Sequence, residues 1–208
     1  HHLIAAGVEN NLNTVYYSVY NDPDNFTGTG AGSVVISDQV QGIRGFRTDL
    51  IVFAKNSIHK LININDPSNI RIDPITENVG CLSGYSIQEV GGDLLFLSPD
   101  GIRTIAGTAR IGDVELSSVS RQIQSIVGDI ANLINTFRID SCVLRSKSQY
   151  RLFYTDITSG ALVSKGIIGT FTPNGFEWSE TLGIQAMGLT TGFDNNGVEK
   201  AFHGDKDG

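Results

Sequence analysis

The stretch GGDLLFLSPDGIRTI, Gly91 to Ile105, decides how the rest of the chain is read. An apolar run, Leu94 to Leu97, meets Ser98-Pro99-Asp100-Gly101, and a second apolar segment begins at Ile102. Pro presets φ and Gly accepts the conformations other residues avoid, so these four residues form a tight turn between two strands. The run is continuous instead of alternating, which marks a strand covered on both faces. RTDLIVFAKNSIHKL, Arg47 to Leu61, has the same outline, with Lys55-Asn56-Ser57 at the turn.

Laid over each other at an offset of 44 residues, 43–61 and 87–105 align without a gap. Ile43/Ile87, Asp49/Asp93, Leu50/Leu94 and Ile58/Ile102 are identical pairs. Phe46/Val90, Ile51/Leu95, Val52/Phe96, Phe53/Leu97 and Leu61/Ile105 are apolar in both copies. A period of this size falls in the range of β-propeller blades, small antiparallel sheets that bury their faces only by stacking on neighbours.

Composition agrees with an all-β chain of many turns. The 208 residues are 40% apolar and 18% charged, with 24 glycines, which describes a folding chain and not a disordered one. Further strands are expected at 14–20, 33–37, 141–144, 150–156, 162–171, 176–179 and 184–190. Turns are signalled by Thr158-Ser159-Gly160, Pro173-Asn174-Gly175 and Asn195-Asn196-Gly197. One segment departs from this. Val119, Ile123, Ile126, Val127, Ile130, Leu133, Ile134 and Phe137 recur at steps of three and four, which predicts a helix over 117–137. Ser117 or Ser118 would cap it and Gly128 would weaken its middle. Such a stripe packs on its own domain or at a subunit contact.

The net charge of −7, with no Lys/Arg-rich run, argues against a grip on nucleic acid. No apolar run approaches the length of a membrane span, so membrane insertion is not expected. Cys81 and Cys142 match no metal or redox spacing and read as buried thiols. GTGAGS, 28–33, lacks the Lys-Ser/Thr ending and the following helix of a phosphate loop. His59 and His203 show no nucleophile–base arrangement. Asp194, Glu199, Asp205 and Asp207 read as turn carboxylates, DKDG lacking most of a calcium ligand ladder. Asn25-Phe26-Thr27 matches a glycosylation sequon in a chain without a secretion signal. Trp178, with Phe176, is a core residue or a subunit contact. Asp49 and Asp93 hold equivalent repeat positions; paired carboxylates could do glycosidase chemistry, but each also sits where Asp caps local backbone. No catalytic, cofactor-binding or metal residue is therefore assigned.

Six phrases occur in order: YYSVYNDPDNF…GAGSVVI, FRTDLIVFAKNSIHKL, GCLSGYSIQEVGGDLLFLSPDGIRTI, QYRLFY, GFEWSE and FHGDKDG. Together, over Tyr16 to Gly208, they resemble the tail nozzle proteins of short-tailed bacteriophages, also called tail tubular protein B or stabilisation proteins. The resemblance implies a structural virion protein containing a β-propeller, assembled as a hexameric ring beneath the tail adaptor. Such a ring extends the DNA-ejection channel and supports fibres or spikes, so the implied setting is the virion tail, put together in the bacterial cytoplasm. That family is much longer than this chain, and its platform and tip elements are not matched here.

The expectation is an all-β, β-propeller-like set of repeated antiparallel sheets with one inserted α-helix. Residues 1–208 would be part of one propeller domain of a longer polypeptide, since His1-His2 replaces an initiator Met and HGDKDG ends on a turn. An acidic balance also suits a conduit in which DNA slides instead of sticking. The alternatives are a propeller glycosidase using Asp49 and Asp93, and a propeller adaptor that binds a protein partner.

Overall fold

The two aligned hairpins fold as the same object. In the computed structural model, which describes residues 1–66, 68–106 and 119–205, strand β5 is Asp49–Ala54 and strand β9 is Asp93–Ser98. These bounds differ by the 44 residues of the sequence offset. The next strands, β6 (Ile58–Ile62) and β10 (Gly101–Thr104), pair antiparallel with them, with Phe53 opposite Ile58 and Leu97 opposite Ile102. Pro99 and Asp100 make a two-residue turn, whereas Lys55–Ser57 make a longer one closed by the Ala54 N–H on the Ser57 carbonyl. On the preceding side, Gly91 and Gly92 both take positive φ, as a two-residue hairpin turn requires. In the first copy that place is taken by Arg47, at φ 55°, and Thr48.

The chain divides into two compact units, His1–Gly84 and Tyr85–Gly208, with one copy of the hairpin in each. In the first, β1 (Ile4–Val8), β2 (Asn11–Tyr17) and β3 (Gly32–Val35) form one sheet. β4 (Val40–Phe46), β5, β6 and β7 (Arg71–Thr76) form a four-stranded meander in chain order. Val15 of β2 and Ile36, just after β3, pack with Val40, Val52, Ala54 and Leu61 of the meander. β7 escapes the sequence reading because Pro74 sits inside it; the strand lies at the sheet edge, where a missing N–H is tolerated.

In the second unit, β8 (Gln88–Val90), β9 and β10 form a three-stranded sheet. β11 (Phe137–Leu144), β12 (Gln149–Asp156), β13 (Ser164–Thr172) and β14 (Gly175–Thr181) make a second four-stranded meander in chain order. β15 (Gly188–Phe193) and β16 (Glu199–Gly204) form a hairpin, and His203 stands in β16. A polar seam joins the two larger sheets of this unit. Gln88 Nε2 donates to the Ser141 carbonyl at 2.9 Å, and the Tyr150 hydroxyl donates to the Ser86 carbonyl at 2.9 Å.

The fold is thus all-β, with one inserted helix among the described residues. That helix is shorter than the periodicity predicts. It turns in 3-10 form at Arg121–Ile123 and continues as α1, Gln124–Asn132. Ile123, Val127 and Ile130 are buried, whereas Leu133 is exposed and Phe137 already begins β11. The apolar stripe runs on past the helix because the strand that follows also needs apolar side chains. Ser117 and Ser118, the expected caps, lie outside the described residues. Ser120 is buried, and its hydroxyl accepts the Ile102 N–H of β10 at 2.8 Å.

Leu94 through Leu97 are at most 1% exposed, on both faces of β9. Truncating one of them removes transfer free energy and leaves a cavity. Phe96→Ala is therefore expected to cost about 3–5 kcal/mol in urea unfolding, whereas Val35→Ala, at a largely exposed β3 position, should change it by no more than about 0.5 kcal/mol.

Candidate functional site

Asp49 and Asp93 each follow a two-residue turn and open a strand, and they lie in different units. Asp93 is occupied with backbone. Its Oδ1 accepts the Leu94 N–H at 2.8 Å, and both carboxylate oxygens stand 3.2 Å from the Ala106 N–H. This is the local capping role that Asp plays beside turns. Asp194 likewise accepts the Asn196 and Val198 N–H groups at 2.9 Å, which holds its carboxyl below the usual range. Glu199 accepts the Ser146 N–H at 2.6 Å, with the same effect. Asp205 ends the described residues and Asp207 lies outside them.

The remaining sequence candidates also have structural places. Asn25 accepts the Thr27 and Gly28 N–H groups through Oδ1 and donates to Asp22 through Nδ2, so the sequon amide is bound into its own loop. Residues 28–33 lead into β3 and not into a helix. Neither cysteine is in a disulfide and both are buried, and burial pushes the Cys142 thiol up to about 11. Among the described residues no group of three or more His, Cys, Asp or Glu side chains is placed to hold a metal ion, and no helix is long and apolar enough to cross a membrane.

The side chains that do converge are aromatic. On one face of the second meander, register places Tyr150 opposite Gly169, Gly169 opposite Trp178, and Phe171 opposite Phe176. A Cβ on Gly169 would stand 2.7 Å from the Trp178 ring, so the glycine is what lets the indole lie flat across β13. Trp178 stacks on Phe176 at 5.7 Å between centroids, and Phe176 meets Phe171 at 5.3 Å. Tyr150 meets the indole edge-on at 6.3 Å. The indole N–H donates to the Val119 carbonyl at 2.6 Å, and the Trp178 backbone N–H donates to Gln122 Oε1 at 3.1 Å. Trp178 is thus a half-buried residue, packed through its ring and satisfied at its polar tip. Its ladder was not legible, because Tyr150 lies far from GFEWSE in sequence, and it and Phe171, across the β13–β14 turn, meet the ladder only through sheet register.

Phe171, about half exposed, closes the open end of this ladder. It borders an open groove of about 520 Å³ lined also by Phe176, Asp93, Arg121, Gln122 and Asn174. The lining is mainly apolar with a polar rim.

No family model and no curated protein matches this chain. Among solved structures it is similar to that of an S. cerevisiae Dbp5 variant bound to Nup159, Gle1, IP6 and ADP, at 10% sequence identity and a TM-score of 0.34. The match covers 88% of this chain and 61% of that one, so the chain spans less than two thirds of the length it is compared with. A likeness at that score carries no argument.

Trp178 is the single tryptophan, which makes the ladder observable. Gly169→Val should displace the indole, shift its fluorescence to the red and destabilise the protein by about 1–3 kcal/mol. Unchanged emission with unchanged stability would contradict the packing described.

Proposed function

We propose that this chain is part of a β-propeller-like structural subunit of a short-tailed bacteriophage tail nozzle, acting by assembly in the virion. The observation that carries this reading is the ordered set of six phrases between Tyr16 and Gly208. The architecture supports it: successive antiparallel meanders in chain order are the sheets from which propeller blades are made. On this reading six copies close a ring beneath the tail adaptor, the channel passes DNA without binding it specifically, and fibres or spikes attach outside. A ring of identical subunits requires a heterologous, closing contact, and the open aromatic groove is a surface of the kind such contacts cover.

Electron microscopy of the full chain tests this directly. A six-fold ring with a central channel is the expected result, and a monodisperse monomer would overturn the proposal. A strongly basic lumen in that ring would contradict passage by like-charge repulsion. Asp93→Ala separates assembly from glycosidase chemistry. The loss of acceptors for the Leu94 and Ala106 N–H groups should cost about 1–3 kcal/mol. Glycan turnover that vanishes in this variant while the fold survives would replace the nozzle reading with the enzyme.

A further inference from the structure

The two copies of the hairpin share a device beyond their strands. In each, a basic side chain from the second strand is buried and turned back onto the hairpin turn. Arg103, opposite Phe96, is 3% exposed; its Nε donates to Asp100 Oδ1 at 2.8 Å and its Nη2 to Oδ2. His59 holds the equivalent position opposite Val52, is 7% exposed, and its Nε2 is hydrogen-bonded to Ser57 Oγ at 2.9 Å. The arginine clamp is permanently charged, and its partner Asp100 is held below the usual carboxyl range chiefly by that hydrogen bond. The histidine clamp is neutral when closed and can be charged.

What rests on the first turn is a strap, Val79–Gly84, the last residues of the first unit. The Cys81 N–H donates to the Ala54 carbonyl at 2.9 Å. Gly80 lies so close to the Lys55 carbonyl that any Cβ there would clash with it. Asp38 fastens the same turn from the other side, accepting the Asn56 N–H and, at 3.3 Å, its side-chain amide. Cys81 is fully buried in the strap.

We infer that His59 and Ser57 form an acid-operated latch: the neutral pair holds the turn against the strap, and a proton on the imidazole releases it. With both ring nitrogens protonated the ring can still donate to Ser57 Oγ, but the buried imidazolium has lost its water, and that cost is relieved only when the turn opens. Burial lowers the pKa of His59, against the opposing pull of Glu77 beyond β7 and Asp38 before β4; its cross-strand neighbours Val52 and Pro74 carry no charge. The sign follows. The opened form titrates near the ordinary value of 6.5 and the latched form below it, so latching is complete above 6.5 and weakens as pH falls from there through the lower latched value. The second hairpin, with Arg103 in the same place, has no such step.

Cys81 reports the opening and Cys142, buried in the second unit, is the internal reference. The full chain is exposed to a pyridyl disulfide, which reacts with thiols in acid as well as at neutral pH, between about pH 7.5 and about pH 5. The expected result is a severalfold rise in Cys81 trapping relative to Cys142 on acidification, and loss of that rise in His59→Gln, which keeps a neutral hydrogen-bonding group. Ser57→Ala should trap Cys81 quickly across the whole range. A constant ratio in the unaltered protein, or a rise that persists in His59→Gln, overturns the latch.

Discussion

Everything in this fold depends on burying both faces of its central strands. Neighbouring residues on a strand point to opposite sides, so a run such as Leu94–Leu97 cannot be covered by one layer. The same holds for Val52, Phe53 and Ala54 in β5. Each buried Leu or Phe is worth about 1.5–3 kcal/mol, far more than any single turn hydrogen bond returns. Hairpin turns put consecutive strands side by side, and a second sheet of the same unit laid over them covers a face. Val15 of β2 and Ile36 just after β3, packed with Val40, Val52 and Leu61 of the first meander, cover one face of β5 in this way.

Double burial also explains where polar groups appear. A backbone carbonyl or N–H between two covered sheets needs a partner from within the protein. Ser86 and Ser141 supply it between β8, β9, β11 and β12, joined by Gln88 and the Tyr150 hydroxyl. Such groups fix the registration of one sheet on another, which apolar contacts alone leave loose.

This distribution decides what the sequence can reveal. The central hairpins were legible to within a residue of the bounds read for them, Leu94–Leu97 standing inside β9 and Ile102 one residue into β10, because continuous apolar runs bounded by turn residues have one reading in a repeat. The helix was legible as periodicity but not in length, since Leu133, Ile134 and Phe137 continue its stripe after the backbone has left it. β7 was hidden by Pro74, and β16 by a run that includes Glu199, Lys200 and His203. Edge strands carry little burial and so little pattern. The aromatic ladder and the buried Arg103 and His59 were illegible for another reason: they are defined by cross-strand register and by return contacts to turns, which local windows do not contain.

The acidic balance of the chain takes on a different meaning in the structure. Asp38 accepts the Gln39 and Asn56 N–H groups, Asp140 those of Ser141 and Leu189, and Asp156 those of Thr158 and Ser159. Asp66, Asp93 and Asp194 do the same in their own loops, and Glu199, at the start of β16, accepts the Ser146 N–H from a distant one. A chain with this many reversals has many N–H groups outside its ladders, and a carboxylate is the strongest acceptor a short side chain can offer them. Much of the negative charge is therefore explained by turn chemistry before any partner is invoked. A functional argument from charge has to rest on where the remaining acids fall on an assembled surface and not on the net value. Asp93 shows why the distinction matters: the same carboxylate that invites a catalytic reading from its repeat position has both oxygens facing backbone N–H groups.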